Sequence, residues 1–155
     1  MKISEIISPK LIIASLQGTT KKQVLEELVK HLAHDKESID ADELLRVLIE
    51  REKLGSTGIG GGIAIPHGKL QGLDAIALVF GKSVDGIDFD AIDGKPVNLV
   101  FLLVAPSNSA GVHLKALARL SRLLKNNGFR QALMQAADDT SLYDIIAVED
   151  SKVSA

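Results

Sequence analysis

The chain has 155 residues, of which 46% are hydrophobic, and this combination predicts a single packed domain. Its 18 basic and 20 acidic side chains give a net charge of -2, so the composition does not favour binding to nucleic acid or to an anionic membrane. The absence of cysteine excludes disulfides, thiolate zinc sites and thiol nucleophiles. We therefore expect the partners to be proteins or small molecules.

The N-terminal segment does not have the apolar core of a signal peptide, because Lys2, Glu5 and Lys10 carry charges and Pro9 interrupts it. No run of the sequence approaches the roughly 20 apolar residues that are needed to span a bilayer. These observations predict a cytoplasmic protein that does not insert into a membrane.

The first half of the chain predicts a short strand at residues 11–16 and then two amphipathic helices. Thr20 with Gln23, and Asp40 with Glu43, form capping patterns that begin these helices. Apolar residues at helical spacing give each helix one buried face: Val24, Leu25, Leu28, Val29 and Leu32 in the first, Leu44, Leu45, Leu48 and Ile49 in the second. The second helix should end near Lys53, which places Arg51 in its last turn.

The middle of the chain predicts strands. Residues 75–80 and 97–104 are nearly continuous apolar runs, which is typical of strands buried on both faces. Residues 63–66 should be extended, and residues 86–89 are a candidate for an additional strand before a turn at Asp93-Gly94.

A long helix should begin near Ser109 and stop at Asn127-Gly128, and two shorter helices should cover residues 130–136 and 141–148. This order of elements predicts one three-layer α/β domain over residues 1–150, with helices on both faces of the sheet. Residues 151–155 are expected to be a frayed tail.

The segment from Arg51 to Lys69, REKLGSTGIGGGIAIPHGK, carries the chemistry. A neutral imidazole at His67 can attack phosphorus, and the hydroxyls and unhindered amides of the preceding loop suit an anion. In the alternative interpretation the glycines serve only a turn and His67 is a structural histidine. Pro66 and Gly68 favour the functional interpretation, since they fix the approach to the ring and leave it accessible.

Nucleotide binding is disfavoured by the spacing of the glycines. A Walker loop ends in Gly-Lys-Ser/Thr before a helix, whereas these glycines run into Ile63-Ala64-Ile65-Pro66. The third glycine of a dinucleotide fingerprint would fall at Ile63 or at Ile65.

The sequence contains three other histidines. His113 lies in the first turn of the long helix after strand 97–104, where ligands of α/β proteins collect, and could bond a phosphoryl oxygen; it could also be a surface residue. His31 and His34 stand three residues apart, but no third metal ligand accompanies them, and we expect both to be exposed.

The acidic run from Asp85 to Gly94 resembles a calcium loop, but Ile92 occupies the third ligand position and the glycine comes one residue late. We expect a turn whose carboxylates repel phosphate or influence the choice of partner. No G-x-S-x-G motif is present, so acyl transfer has little support.

The chain resembles the enzyme IIA domains of the bacterial phosphotransferase system, in the mannitol and fructose group and most closely the nitrogen-regulatory type. The resemblance covers about residues 3–148 and is carried by residues 51–69, by FDAIDGKPV at 89–97, by LVFLLVAP at 99–106 and by VHLKAL at 112–117. It implies a mixed sheet of five strands between helices. It also implies that His67 is the phosphorylated residue, that Arg51 lines the site, and that His113 is the second active-site histidine.

The resemblance further implies a phosphotransferase whose His67 accepts phosphate from an HPr-like carrier, without a metal or an organic cofactor. Arg51, with donors from His113, Ser56, Thr57 or the loop amides, would stabilise the phosphoryl charge. The proteins that recognise the phosphorylation state would be regulatory proteins of nitrogen or potassium physiology. Two alternatives stay open: a stand-alone fructose or mannitol enzyme IIA that passes phosphate to an enzyme IIB, and a non-catalytic binding module in which His67 is structural.

Overall fold

A computed structural model of the chain describes residues 2–153 and consists of a mixed sheet between two layers of helices. The strands are β1 (Ile12–Ile13), β2 (Gly58–Gly60), β3 (Ile63–Ala64), β4 (His67–Leu70), β5 (Ala77–Ile87) and β6 (Val97–Pro106). The helices are α1 (Ile3–Ile6), α2 (Lys21–Asp35), α3 (Ala41–Lys53), α4 (Ala110–Leu124), α5 (Asn127–Gln135) and α6 (Asp139–Ser151). None of these helices is long and apolar enough to cross a membrane.

The sheet has the order β1-β5-β6-β3-β2, and β4 pairs with β6 along the same edge as β3. β5 and β6 are antiparallel, whereas β3 and β4 both run parallel to β6. β1 is parallel to β5, and β2 is antiparallel to β3. The predicted α/β fold with a mixed sheet is confirmed.

Helices cover both faces of the sheet. α2 and α3 pack together and against β5 and β4, whereas α4 and α6 pack against β6 and β1, with α1 between them. The buried apolar side chains form one continuous cluster, in which Phe80 and Phe101 stack with their ring centroids 4.3 Å apart. Residues 2–153 therefore pack around one core.

Both predicted helix caps are present. Thr20 Oγ1 accepts a hydrogen bond from the Gln23 amide at the start of α2, and Asp40 accepts one from the Glu43 amide at the start of α3. The Gln23 side chain accepts from the amide of Thr19 instead of closing the box on Thr20. Local hydrogen bonding thus begins both helices where the sequence indicates.

Several predicted boundaries were wrong. The strands expected at residues 75–80 and 86–89 are one long strand, β5, with an irregular register between Lys82 and Ile87. The strand expected at residues 11–16 is only β1, which follows a 3₁₀ turn at Pro9–Leu11. Asn127 and Gly128 begin α5 instead of ending α4, because the Asn126 side chain caps the amide of Phe129.

Lys82 explains why β5 continues past its apolar run. Its side chain is buried and donates hydrogen bonds to the carbonyls of Leu133, Met134 and Ala136 at the C-terminal end of α5. Helix C-termini carry partial negative charge, which favours a cation at this position. Burial lowers the pKa of Lys82.

The C-terminal end of α6 is held by a buried ion pair. Asp150 is fully buried and accepts from Arg119 Nε at 2.7 Å and from the amide and hydroxyl of Ser4. The predicted tail of residues 151–155 starts within this helix, at Ser151, and Arg119 also donates to the carbonyl of Val153. Residues 154 and 155 lie outside the described residues.

Candidate functional site

His67 is the first residue of β4 and pairs in register with Leu103 of β6. Side chains alternate along a strand, so Gly68 and Leu70 point to one face and His67 and Lys69 to the other. A Cβ at Gly68 would lie 2.8 Å from Val47 Cγ1 of α3. Gly68 is therefore required for the close packing of β4 on α3, and the prediction that it leaves the imidazole accessible was wrong.

One hydrogen bond assigns the tautomer of His67. Its Nδ1 lies 2.8 Å from the carbonyl oxygen of Ile65, and a carbonyl only accepts, so Nδ1 carries the proton. The lone pair of the neutral ring then lies on Nε2. The side chain is half-buried, and this nitrogen has the electronic form of a nucleophile.

His113 lies beside His67, as the resemblance implies. It is in the first turn of α4, and the two ring centroids are 5.4 Å apart with the rings edge to face. His113 is only 6% exposed, and its buried Nε2 has no hydrogen-bond partner among residues 2–153. A buried polar nitrogen without a partner is rare in folded proteins, and a catalytic role is one of its explanations.

Burial lowers the pKa of His113 below its ordinary value, and positive charge on His67, when its ring is protonated, and on Lys69 lowers it further. The imidazole is therefore neutral near pH 7, so one of its ring nitrogens carries a proton and can donate a hydrogen bond. His113 adds no positive charge to the site, and any fixed cation has to come from another side chain.

Arg51 lies in the last turn of α3, as the sequence predicts, and its Nη1 donates to the carbonyl of Gly55 at 2.9 Å. The Ile65 amide donates to the Thr57 carbonyl. The loop that contains Gly55 and Thr57 therefore lies beside the segment that leads into His67. The Gly55 contact thus holds the arginine at this end of the sheet. Within the described chain Arg51 forms no ion pair, and it makes no hydrogen bond to either imidazole.

The hydroxyls of Ser56 and Thr57 are engaged in holding the loop. Ser56 Oγ donates to the carbonyl of Phe89 at 2.5 Å and accepts from the amide of Gly58. Thr57 is buried, and both its hydroxyl and its amide bond the carboxylate of Glu52. This geometry does not support the expectation that either hydroxyl contacts a phosphoryl group.

Glu52 and Lys21 organise the loop and were missed by the sequence analysis. Lys21 forms a 2.8 Å ion pair with Glu52, and the Glu52 carboxylate in turn bonds Thr57. The two charged residues are 31 positions apart in the printed sequence, so no local pattern joins them. In the sequence, only the position of Glu52 next to Arg51 in the motif pointed to a role for Glu52 in this loop.

The glycine cluster forms a turn away from His67. Gly60, Gly61 and Gly62 have φ values of 94°, 67° and 80°, which glycine adopts without strain, and they connect β2 to β3. Because Ile63 pairs with Leu99 and His67 with Leu103, the turn is roughly 13 Å from His67 along the sheet. The expectation that the amides of the loop bind an anion beside His67 was therefore wrong for these three glycines.

The acidic run anchors that turn. Asp93 Oδ2 accepts from the Gly61 amide at 3.0 Å, and the Ile92 amide donates to the Gly58 carbonyl. Backbone hydrogen bonds from Lys95 and Gly61 lower the pKa of Asp93. The segment before β6 thus holds the β2–β3 hairpin in place.

The remaining histidines do not form a metal site. His31 Nε2 lies 2.6 Å from the carbonyl oxygen of Lys10, so His31 is partly buried and not free to pair with the exposed His34. Between residues 2 and 153 no three histidine, aspartate or glutamate side chains are grouped to hold a metal ion.

The fold matches a known class of protein. The chain aligns with the crystal structure of the nitrogen regulatory protein IIA-Ntr from Neisseria meningitidis with a TM-score of 0.87 and 35% identity, over 93% of this chain and 98% of that one. The class is that of the enzyme IIA components of the phosphotransferase system.

Sequence comparison defines the family. Residues 5–148 match the family model "Phosphoenolpyruvate-dependent sugar phosphotransferase system, EIIA 2", and the chain belongs to this family of phosphotransferase components. It is 40% identical to a nitrogen regulatory protein of Bradyrhizobium diazoefficiens over 96% of both chains. It is also 37% identical to the fructose-specific EIIABC component of Bacillus subtilis, over 97% of this chain but only 24% of that protein.

Proposed function

We propose that this protein is a cytoplasmic regulatory phosphocarrier in which His67 accepts phosphate from a phosphohistidine on an HPr-like carrier. The observation that carries the proposal is the pair of adjacent imidazoles, His67 with Nδ1–H held by the Ile65 carbonyl and His113 with a buried, unpartnered Nε2. In this proposal residues 1–150 act as one enzyme IIA domain.

The transfer step exchanges one P–N bond for another. The Nε2 lone pair of His67 attacks phosphorus, the bond between phosphorus and the donor imidazole breaks, and its electron pair stays on the donor nitrogen. The Nδ1–H of His67 keeps its bond to the Ile65 carbonyl, which stabilises the positive charge that develops on the attacking ring. This step uses no metal and no organic cofactor.

Arg51 and His113 stabilise the phosphoryl oxygens in this proposal. The guanidinium of Arg51 offers N–H donors beyond the one used on Gly55, and a neutral His113 donates from Nε2 in the appropriate tautomer. Ser56 and Thr57 are left out, because their hydroxyls already bond Phe89 and Glu52. Positioning and electrostatics supply the catalysis.

Phosphorylation adds close to two negative charges to this surface, enough to change which partner binds there. By similarity to nitrogen regulatory relatives over nearly their whole length, we infer that the proteins that recognise the phosphorylation state are regulatory proteins of nitrogen or potassium physiology. The second candidate is a sugar-specific enzyme IIA that passes phosphate to an enzyme IIB. The similarity to a fructose-specific component favours it.

Transfer from a phosphorylated HPr-like carrier tests the proposal directly. We expect an acid-labile phosphate on the His67 peptide by mass spectrometry, loss of this label in His67→Gln, and normal labelling in the control His34→Gln. Undiminished labelling of His67→Gln, or no label on the wild-type protein, would contradict the proposal. Sugar phosphorylation on addition of enzymes IIB and IIC would favour the second candidate.

A further inference from the structure

Lys69 lies two residues after His67 on β4 and shares its face of the strand. Gly68 and Leu70 are buried on the α3 side, whereas Lys69 is exposed on the side of His67 and His113. Alternate residues of a strand have Cα atoms about 7 Å apart. The flexible four-carbon stem of lysine can cover that distance, so its ammonium can reach a group bonded to the His67 ring.

The charge of Lys69 is not neutralised in the unmodified protein. Its side chain forms no ion pair or hydrogen bond within residues 2–153, and the first turn of α4, which holds His113, has no acidic residue. The charge is also felt across the site, since it lowers the pKa of His113. Lys69 is therefore a free cation on the same side of the sheet as the two imidazoles.

We propose that Lys69 is a phosphoryl-binding residue, whose ammonium pairs with the phosphoryl group on Nε2 of His67. The inference rests on the proposed function and deepens it. Arg51 is held at its own helix end by Gly55, whereas Lys69 is free to move onto the phosphoryl group once that group is present. An exposed ammonium and a phosphoryl dianion at contact distance attract each other even in a largely aqueous surrounding.

Phosphorylation then changes the surface in two ways. The phosphoryl group adds negative charge at His67, and the pairing withdraws the free ammonium of Lys69 from the same face. A partner that binds the unmodified protein through an acidic group loses its cation at the moment of phosphorylation. Lys69 thus helps a partner protein to distinguish the phosphorylated from the unmodified protein.

The second pKa of the phosphoryl group, followed by ³¹P NMR of the phosphorylated protein, tests this pairing. A cation at contact favours the dianion, so we expect Lys69→Gln to raise that pKa by about 0.5 to 1 unit. Lys69→Arg should keep the wild-type value, because it retains the charge. The control Lys30→Gln removes an exposed lysine from α2 and should change nothing.

An unchanged phosphoryl pKa in Lys69→Gln would overturn the inference while leaving the proposed function intact. An equal rise in Lys30→Gln would also overturn it, since the effect would then be one of net charge. If wild-type His67 takes phosphate neither from the carrier nor from the small donor phosphoramidate, the proposed function fails, and the inference fails with it.

Discussion

At the scale of single residues, the carbonyl of Ile65 decides which nitrogen of His67 carries the proton. Because this backbone acceptor holds Nδ1–H at 2.8 Å, the lone pair is on Nε2, and the sequence alone does not contain this information. The neighbouring His113 stays neutral through burial. The side chains that can supply a permanent positive charge here are Arg51 and Lys69, and each can be tested separately.

Arg51→Gln should slow phosphoryl transfer, because it removes the charge while leaving an N–H donor for the Gly55 carbonyl. We expect a loss on the order of 10²-fold in the transfer rate, as for removal of one donor to a developing oxyanion. The measurement is a rapid-quench transfer assay with the phosphorylated carrier. Unfolding of Arg51→Gln, or a transfer rate like that of the wild type, would show that the arginine acts only as a helix cap.

The lowered pKa of His113 predicts a pH dependence of stability. Below pH 6.5, the ordinary pKa of histidine, this residue binds a proton in the unfolded chain but not in the folded chain. The free energy of unfolding therefore decreases as the pH is lowered. The fall begins near that value and ends at the folded pKa. His113→Leu should lose less stability than the wild type between about pH 7.5 and about pH 5.5 in urea unfolding.

The control for this experiment is His34→Gln, which changes an exposed histidine and should follow the wild-type pH dependence. Equal pH dependence of His113→Leu and the wild-type protein would mean that His113 titrates normally in the folded state.

At the scale of elements, the segment from Arg51 to Lys69 has three structural parts. The end of α3 holds Arg51, the β2–β3 hairpin returns to the neighbourhood of His67, and β4 presents His67 and Lys69 on one face. The hairpin turn itself is anchored far from the histidines by Asp93. The motif therefore serves packing over most of its length, and it places Arg51 at one end and His67 with Lys69 at the other.

Gly68→Ala tests the contact between β4 and α3. The added methyl group would lie 2.8 Å from Val47 Cγ1, so we expect a loss of about 1 to 3 kcal/mol in the free energy of unfolding. Val47→Ala in the same chain should recover part of that loss. Gly111→Ala is the matched control, since a Cβ there meets open space in α4, and it should leave stability equal or raise it by up to about 1 kcal/mol.

At the scale of the whole molecule, Asp150 connects the C-terminal helix to two other elements. It pairs with Arg119 of α4 and accepts hydrogen bonds from Ser4 of α1, so three helices that are distant in sequence meet at one carboxylate. The family match ends at residue 148, two residues earlier. The stability of the layer that carries His113 thus depends on residues at the edge of the matched region.

Asp150→Ala should destabilise the protein by about 3 to 5 kcal/mol, because it leaves Arg119 without its buried carboxylate. The double variant Arg119→Met with Asp150→Leu should lose less than the sum of the single changes, which urea unfolding can measure. Truncation after Glu149 should resemble Asp150→Ala. A loss below about 1 kcal/mol for Asp150→Ala would contradict this account.

The sequence by itself determined the features that local patterns encode. Thr20 and Asp40 cap their helices within three residues, the apolar run of β6 marks a strand buried on both faces, and the motif of residues 51–69 indicates the family.

Only the tertiary structure decided the roles that depend on partners distant in sequence. Ser56 bonds Phe89, Gly61 bonds Asp93, and Lys82 reaches the end of α5, so hydroxyls, amides and a lysine that look available in the sequence are already engaged. The physical reason is that each of these polar groups takes whichever acceptor or donor the packed chain brings to it. For the same reason, the tautomer of His67 and the free charge of Lys69 become visible only when β4 is seen between α3 and α4.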